Sequence, residues 1–326
     1  MPESDPYIQN LRARIDTAIS QLFGGRKPEG LYEPMGYLPL AGGKRIRPLL
    51  LILACEAVGG CVEDCFHAAV AVELLHTFTL VHDDIMDHDD TRRGMPTVHI
   101  KWDQAMAILA GDGLVTMAYQ SILKVKHPRL HQAMQLFTDG LLDICEGQAM
   151  DKSFEKRDDV TLNEYLLMIR KKTAILIRVC CAVGGILGNG KDTHIHSLGR
   201  FATALGLAFQ IQDDLLDVIS DASVLGKPMG SDLMEKKKTF LTIHFFENAS
   251  GAVREGFNGL WRKPVLSDND ISQLIKYLQD TGSVESARAA VDLHFKNALA
   301  ALSGLPPGLS RERLKKFALT IQKRMS

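Results

Sequence analysis

Several features that define common protein classes are missing from this 326-residue sequence. None of the six cysteines forms a CxxC pair, which argues against a cysteine-ligated metal site and predicts reduced packing thiols in an intracellular protein. The net charge is only −1, and the basic residues are distributed among acidic ones. Nothing therefore favours binding to nucleic acid or to an anionic membrane.

Targeting and membrane-spanning segments are missing as well. Residues 1–5 are acidic and polar and lack the pattern of a signal peptide, and no stretch reaches the length of a membrane span. We therefore expect a cytoplasmic protein without stable membrane insertion. With 46% hydrophobic residues and no break in composition, the sequence predicts a single domain over residues 1–326.

The hydrophobic pattern is helical almost throughout. Apolar residues recur at intervals of three and four, which predicts an all-α fold. Proline, glycine and charge mark breaks between the helices, including a long break at residues 24–39. Pro48 suits the first position of a helix over residues 48–58. The other predicted helices cover residues 8–22, 68–85, 105–125, 130–150, 162–187, 196–219 and 239–246.

The strongest signal is a pair of aspartate clusters with the same spacing, DDIMD at residues 83–87 and DDLLD at residues 213–217. On a helix, the first and last aspartates of a cluster lie about one turn apart and point the same way, with the middle one offset by roughly 100°. One such cluster is usually a solvated acidic face. Two copies, each after a run too apolar for an exposed helix (68–81 and 201–211), instead predict buried helices that end at the mouth of a cavity.

Two such helices facing each other would surround a cavity with carboxylates that repel one another. A divalent cation relieves that repulsion, and ligation by oxygen alone favours Mg²⁺, Ca²⁺ or Mn²⁺. Mg²⁺ is commonly held by one or two carboxylates together with waters and substrate phosphates. The clusters therefore indicate a phosphate site bridged by metal.

Basic residues stand near both clusters in the sequence. The turn at residues 42–48 combines glycines with cations, so its backbone N–H groups and side chains would converge on an anion. Each basic residue alone is more often an ordinary surface charge. Their placement beside the acidic clusters favours two bound diphosphates, one on metal and one on cations. These residues are Lys44, Arg45, Arg47, Arg92, Arg93, Lys171, Lys172, Lys227, Lys236, Lys237 and Lys238.

The ordered motifs between Leu40 and Thr239 resemble those of the trans-isoprenyl diphosphate synthases of the polyprenyl synthetase family. The resemblance implies the isoprenoid synthase helical bundle, with a central cavity between the two aspartate-rich helices, and a homodimer. It also implies a short-chain enzyme that uses Mg²⁺ to condense isopentenyl diphosphate head-to-tail with dimethylallyl, geranyl or farnesyl diphosphate.

The same resemblance implies roles residue by residue. The residues that match the isopentenyl diphosphate site are Lys44, Arg47, His76 and Arg93. Those that match the metal site are Asp83, Asp87, Asp213 and Asp217, while Asp84 and Asp214 complete the acidic walls. Those that match the allylic diphosphate site are Arg92, Lys172, Thr173, Gln210, Lys227 and Lys237, and Gln148 matches a cavity-lining glutamine. The residues expected to drive catalysis are Asp83, Asp84, Asp87, Arg92, Lys172, Asp213 and Lys227.

The residues before the first cluster bear on product length. Phe78 and Thr79 lie about one helical turn before Asp83, where a growing chain would descend, so Phe78 is predicted to be the floor of the cavity. An ordinary core aromatic is the alternative interpretation. One aromatic five positions before an uninterrupted cluster resembles the pattern of geranylgeranyl-producing enzymes. We therefore favour a geranylgeranyl diphosphate synthase over a farnesyl diphosphate synthase.

Two other functions are open. A class I terpene cyclase also ionises a diphosphate on one such cluster, but it needs no second diphosphate site of the kind predicted from Lys44, Arg47 and Arg93. A non-catalytic partner subunit of a prenyl synthase would keep the bundle and modulate another enzyme. Two local features complete the prediction: residues 221–231 as a mobile lid, and Lys236 where the family commonly has glycine.

Overall fold

The computed structural model describes residues 5–219 and 229–324, and nearly all of their regular structure is helical. The predicted all-α class is confirmed. The one piece of sheet in the described residues is a short antiparallel hairpin of β1 (Thr91–Arg92) and β2 (Met95–Pro96). The helices are α1 (Pro6–Phe23), α2 (Glu29–Leu40), α3 (Ile46–Ala57), α4 (Val62–Met86), α5 (Val98–Lys101), α6 (Gln104–Ile122), α7 (Leu130–Phe154), α8 (Leu162–Ile169), α9 (Ile175–Leu187), α10 (Asp192–Ile219), α11 (Ser231–Met234), α12 (Phe240–Asn248), α13 (Gly251–Trp261), α14 (Asp268–Asp280), α15 (Ser283–Ala301) and α16 (Leu309–Arg324).

Contacts between residues divide the chain into two compact units. The first comprises residues 1–139, 179–199 and 302–320, and the second comprises residues 140–178, 200–301 and 321–326. The first aspartate cluster belongs to the first unit and the second cluster to the second unit. The single domain expected from composition stays a prediction.

Helix α2 lies where the sequence predicts a break, at residues 24–39, so that prediction is wrong. The helix contains Pro34 and Pro39, each of which lacks a backbone N–H donor. Tertiary burial outweighs this loss, because Met35 and Leu38 are almost completely buried. A pattern of helix-breaking residues does not reveal how much apolar surface the same segment will bury.

Helix α4 is central to the first unit. It has the length and mean hydropathy of a membrane span, which corrects the expectation that no stretch is long enough. Burial explains this composition, because residues 68–75 are all buried inside the unit. Its apolar character is that of a core helix.

A buried ion pair ties the start of α3 to α4. Arg45 precedes α3 in the left-handed conformation, with φ of 50°, so the helix starts at Ile46 rather than at the predicted Pro48. The guanidinium of Arg45 donates to Glu73 of α4 at 2.7 Å, to Asp16 of α1 at 2.7 Å and to the carbonyl of Pro39 at 2.6 Å. Burial alone would lower the pKa of Arg45, but Glu73 and Asp16 raise it above its ordinary value. Four helices therefore meet at one cation.

An aromatic cluster forms part of the core of the second unit. Phe245 of α12 stacks on Phe257 of α13 with ring centroids 4.1 Å apart, and Tyr277 of α14 meets both rings edge-on. Phe245 and Phe257 are fully buried. Aromatic burial of this kind is a major source of stability for the helices that contribute the rings.

Replacing Glu73 with alanine should destabilise the protein by about 3–5 kcal/mol, because the guanidinium of Arg45 would stay buried without its main counter-charge. Urea unfolding followed by circular dichroism measures this loss. Asp16→Ala is the matched control and should cost roughly 1 kcal/mol or less, since the Asp16 side chain is 44% exposed. Equal losses in the two variants would contradict the dominant role of Glu73.

Candidate functional site

The first aspartate cluster lies at the carboxyl end of α4. Asp83 is in the last turn, and Asp87 caps the helix by donating its backbone N–H to the carbonyl of Asp83 at 2.8 Å. Both side chains are partly exposed. The negative end of the helix dipole adds to the charge of these two carboxylates. This helix end therefore favours a bound cation.

Asp84 differs from its two neighbours because it is only 1% exposed. It accepts a hydrogen bond from Nε of Arg92 at 2.7 Å and forms an ion pair with Nη2 at 2.6 Å, while Nη2 donates to Asp89 at 2.8 Å. Burial raises the pKa of Asp84, while Arg92 lowers it. Asp84 therefore anchors Arg92, the residue predicted beside the allylic diphosphate.

The hairpin after α4 also positions Arg93. Arg93 and Gly94 form its two-residue turn, with φ of 55° and 74°, the left-handed values that a primed hairpin turn requires. Arg93 donates to the carbonyl of Gly42. A Cβ on Gly43 would lie only 3.2 Å from Nη1 of Arg93, so glycine at this position leaves room for the guanidinium.

Arg47 and His76 lie near Arg93, and with Lys44 they make up what we call the cation cluster. Nη1 of Arg47 lies 2.9 Å from Nε2 of His76. Because a guanidinium can only donate, Nε2 is the acceptor and the proton of His76 is on Nδ1. Burial lowers the pKa of His76 well below its ordinary value, and Arg47 and Arg93 lower it further. The imidazole is therefore neutral at physiological pH.

The guanidinium groups of the cation cluster have uncharged hydrogen-bond partners. In the described ranges, Arg47 pairs with His76, and Arg93 pairs with the Gly42 carbonyl. Nε of Arg47 is buried without a hydrogen-bond partner among the same residues. Lys44 is exposed on the adjoining turn. Guanidinium groups with spare donors suit an anion that offers several oxygens, such as a diphosphate.

In the second cluster, Asp213 and Asp214 have opposite surroundings. Asp213 is exposed, whereas Asp214 is 5% exposed. Asp214 accepts from the hydroxyl of Tyr165 at 2.6 Å, from the backbone N–H of Phe240 at 3.1 Å and from Nε2 of Gln210 at 3.1 Å. Burial raises the pKa of Asp214 to about 8, while these hydrogen bonds lower it. Asp214 thus holds α8, α10 and α12 together.

Asp217 is also committed to structural hydrogen bonds. Its Oδ1 accepts from the hydroxyl of Ser231 at 2.6 Å, and its Oδ2 accepts from the backbone N–H of Asp232 at 3.1 Å. The carbonyl of Asp217 accepts from the N–H of Gly230 at 2.8 Å. Asp217 thereby caps the short helix α11. Its predicted role as a metal residue stays a prediction.

A π-helical turn, Arg170–Ala174, interrupts the helix predicted over residues 162–187. Gly147 of α7 permits its close approach, since a Cβ there would lie 2.3 Å from the backbone nitrogen of Lys172. Thr173 donates to Gln210 at 2.9 Å, and Gln210 in turn donates to Asp214. Three predicted site residues therefore form one hydrogen-bonded chain from the π turn to the second cluster.

Most of the remaining predicted cations pair with carboxylates, but Lys236 donates to the carbonyl of Lys263 at 2.6 Å. Lys172 donates to Asp151 at 2.6 Å, and Lys237 lies 2.7 Å from Glu235. Lys227 and most of the predicted lid at 221–231 fall outside the described residues. Lys236, where the family commonly has glycine, has a φ of 56°, the left-handed region that favours glycine.

The residues predicted to control chain length lie on α4. Phe78 is half-buried and meets His82 edge-on, with ring centroids 4.8 Å apart. Thr79 donates its hydroxyl to the carbonyl of His76 at 2.8 Å. Gln148, predicted to line the cavity, is buried on α7. Phe78 is therefore not a fully packed core residue.

The carboxylates fit the metal predicted from the sequence. No three His, Cys, Asp or Glu side chains form a ready-made metal cluster in the described ranges. Mg²⁺ does not need one, because it often binds through one or two carboxylates, waters and substrate phosphates. Asp83 and Asp87 present carboxylate oxygens one turn apart at a helix end, and Asp213 presents an exposed carboxylate in the second unit.

Sequence reasoning missed three residues that shape the site. Arg45 stands among the basic residues of the 42–48 turn, yet it is a buried anchor. Its partner Glu73 was also missed, although a single charged residue within the apolar stretch 68–81 could have indicated a buried ion pair. No pattern pointed to Tyr165, whose contact with Asp214 depends on tertiary packing.

Comparison with known proteins shows the family of this chain. A sequence model described as Polyprenyl synthetase matches residues 28–278. A geranylgeranyl diphosphate synthase of Methanosarcina mazei is 47% identical over 74% of this chain and 75% of its own length. A geranylfarnesyl diphosphate synthase of Natronomonas pharaonis is 39% identical over 95% of each chain. The crystal structure of geranylgeranyl pyrophosphate synthetase from Pyrococcus horikoshii superposes with a TM-score of 0.92, 39% identity and 98% coverage of both chains.

Asp217→Asn should keep nearly the same thermal midpoint, because an amide can still accept from Asp232 and pair with the Ser231 hydroxyl. Asp217→Ala should lose about 1–3 kcal/mol, since the partly buried donors of Ser231 and Asp232 would lose this acceptor. Thermal unfolding measures both changes. Asp213→Asn is the control at an exposed aspartate and should leave the midpoint unchanged. Equal destabilisation by Asp217→Asn and Asp217→Ala would contradict the capping role.

Proposed function

The chain belongs to the polyprenyl synthetase family and is a prenyltransferase, and on that premise we propose that it makes geranylgeranyl diphosphate with Mg²⁺. Isopentenyl diphosphate is added head-to-tail to dimethylallyl, geranyl and farnesyl diphosphates. The observation that supports this most strongly is the cation cluster, since the described partners of Arg47 and Arg93 are uncharged. A cytoplasmic homodimer is part of the same proposal.

The cation cluster suits the diphosphate of isopentenyl diphosphate. Arg47 and Arg93 would donate to its oxygens, and Lys44 on the exposed turn would add a third positive charge. His76 is neutral, with Nε2 engaged by Arg47 and the proton on Nδ1. It would therefore add a single hydrogen-bond donor without further charge.

A different set of residues suits the allylic diphosphate. Asp83, Asp87 and Asp213 would hold Mg²⁺, which when bound stabilises the negative charge of the departing diphosphate. Arg92, Lys172, Lys227 and Lys237 would neutralise the same charge as the carbon–oxygen bond breaks. The carboxylates that pair with Arg92 and Lys172 in the described residues hold these cations in place beforehand.

Condensation requires that the two substrates are held in position and that water is excluded. The allylic cation formed on ionisation is attacked by the double bond of isopentenyl diphosphate, so the two groups must be held together and water kept out. The condensed cation then loses a proton to form the new double bond. We assign that proton to the released diphosphate, since the proposed site residues include no dedicated base.

Product length is proposed to depend on Phe78. The aromatic side chain lies on α4 about one turn before the metal-binding aspartates and is only half-buried. It would stop chain growth at geranylgeranyl diphosphate. One relative is a geranylfarnesyl diphosphate synthase, so the second candidate product is one isoprene unit longer.

Purified protein should condense isopentenyl diphosphate with each allylic diphosphate when Mg²⁺ is present. The dephosphorylated product should be geranylgeraniol by chromatography, and chelation of the metal should abolish the reaction. Asp83→Ala should lower turnover by about 10²–10³-fold, the usual cost of losing one charge-stabilising group. Asp90→Ala, at an exposed aspartate in the following loop, is the matched control and should retain activity. Wild-type protein that is inactive with every starter would favour the partner-subunit function instead.

Phe78→Ala should shift the products to longer chains by one or more isoprene units, because it removes the proposed floor. The measurement is the chain-length distribution at equal conversion. Phe66→Ala is the matched control, since Phe66 is another partly exposed aromatic of α4 that packs under Arg14. Unchanged products from the Phe78 variant would remove this residue as the floor.

A further inference from the structure

The ring of His82 joins Phe78 to helix α6 in the first unit. Phe78 and His82, one turn apart on α4, meet edge-on with ring centroids 4.8 Å apart. Nε2 of His82 lies 3.2 Å from the carbonyl oxygen of Ile108 on α6. A carbonyl oxygen only accepts, and its second lone pair remains available to the helix, so Nε2 is protonated and donates. The His82 ring is thus anchored on α6 while its other side contacts Phe78.

Gly111 of α6 provides the space for this anchor. A Cβ at this position would lie 2.1 Å from Nε2 and 2.4 Å from Cδ2 of His82, far closer than atoms in contact. The residue lies inside a regular helix, where alanine is intrinsically more favourable than glycine. Backbone conformation therefore does not explain this glycine, whereas the His82 ring does.

We propose that His82 and Gly111 determine product length by holding the Phe78 ring in one orientation. This inference rests on the proposed synthase function and on Phe78 as the floor. Phe78 is half-buried, so the surrounding side chains do not enclose its ring on every side. An edge-on contact with an anchored ring selects one orientation. His82 is therefore a positioning residue that acts through Phe78.

Two variants test the anchor from opposite helices. His82→Ala removes the ring, and Gly111→Ala introduces a methyl group where the ring lies. In both, the fraction of chains longer than the wild-type main product should rise by roughly two- to tenfold, the population ratio that one edge-on ring pair corresponds to. The assay uses full-length protein with Mg²⁺, isopentenyl diphosphate and farnesyl diphosphate, and resolves dephosphorylated products by chain length.

Gly113→Ala is the matched control on the same helix. Its new Cβ would lie 2.6 Å from the end of the flexible Met35 side chain, and His82 is not among its close neighbours. It should leave product length unchanged. The double variant His82→Ala/Gly111→Ala should give the same products as His82→Ala alone, because both changes act on one ring. Its thermal midpoint should exceed that of His82→Ala, since alanine favours the helix once the ring is gone.

Four outcomes separate this inference from the proposed function. Longer products from both single variants, with non-additivity in the double variant, would confirm it. Wild-type products from both, while Phe78→Ala still lengthens the chains, would overturn the inference and leave the synthase function intact. A His82 variant that changes only the Mg²⁺ concentration for half-maximal rate would also overturn it, because the effect would then act through Asp83. Absence of condensation by the wild-type protein would overturn the proposed function itself.

Discussion

Both aspartate clusters depend on one constraint: a carboxylate that is buried must be surrounded by hydrogen-bond donors. In each aspartate cluster the middle carboxylate is buried and is satisfied by a neighbouring element. Asp84 receives Arg92 from the hairpin, and Asp214 receives donors from α8, α10 and α12. These contacts hold Arg92 in place and, through Gln210, connect the π turn to Asp214. The buried aspartates of the acidic clusters therefore organise the fold around them.

The two sets of cations are prepared in different ways. Arg92 and Lys172 are paired with carboxylates, so they are positioned but partly neutralised. Arg47 and Arg93 have uncharged partners in the described residues, and burial lowers the pKa of both. Binding of an anion should stabilise Arg47 and Arg93 most, because a buried positive charge is costly until a negative charge balances it. This difference supports separate sites for the two diphosphates.

Local sequence patterns predicted some elements better than others. The period of the apolar residues correctly indicated helices, and the spacing of the aspartates correctly placed Asp83 and Asp87 at one helix end. The pattern failed at α2, where prolines suggested a break but burial maintains the helix. It also grouped Arg45 with the anion-binding cations of the 42–48 turn, since nothing local shows that Glu73 and Asp16 converge on it. Errors arose wherever a partner distant in sequence decided the outcome.

The sequence by itself determined the helical class, the two acidic clusters and the family, because these follow from residue types at short, regular spacing. Tertiary structure alone decided which aspartates are buried anchors: Asp214 and Asp217 look like Asp213 in the sequence, but their oxygens accept from Tyr165, Ser231 and other donors. It also explains the glycine at position 111, where a Cβ would collide with the ring of His82. Such roles depend on the side chains that packing brings near, and local spacing does not encode those neighbours.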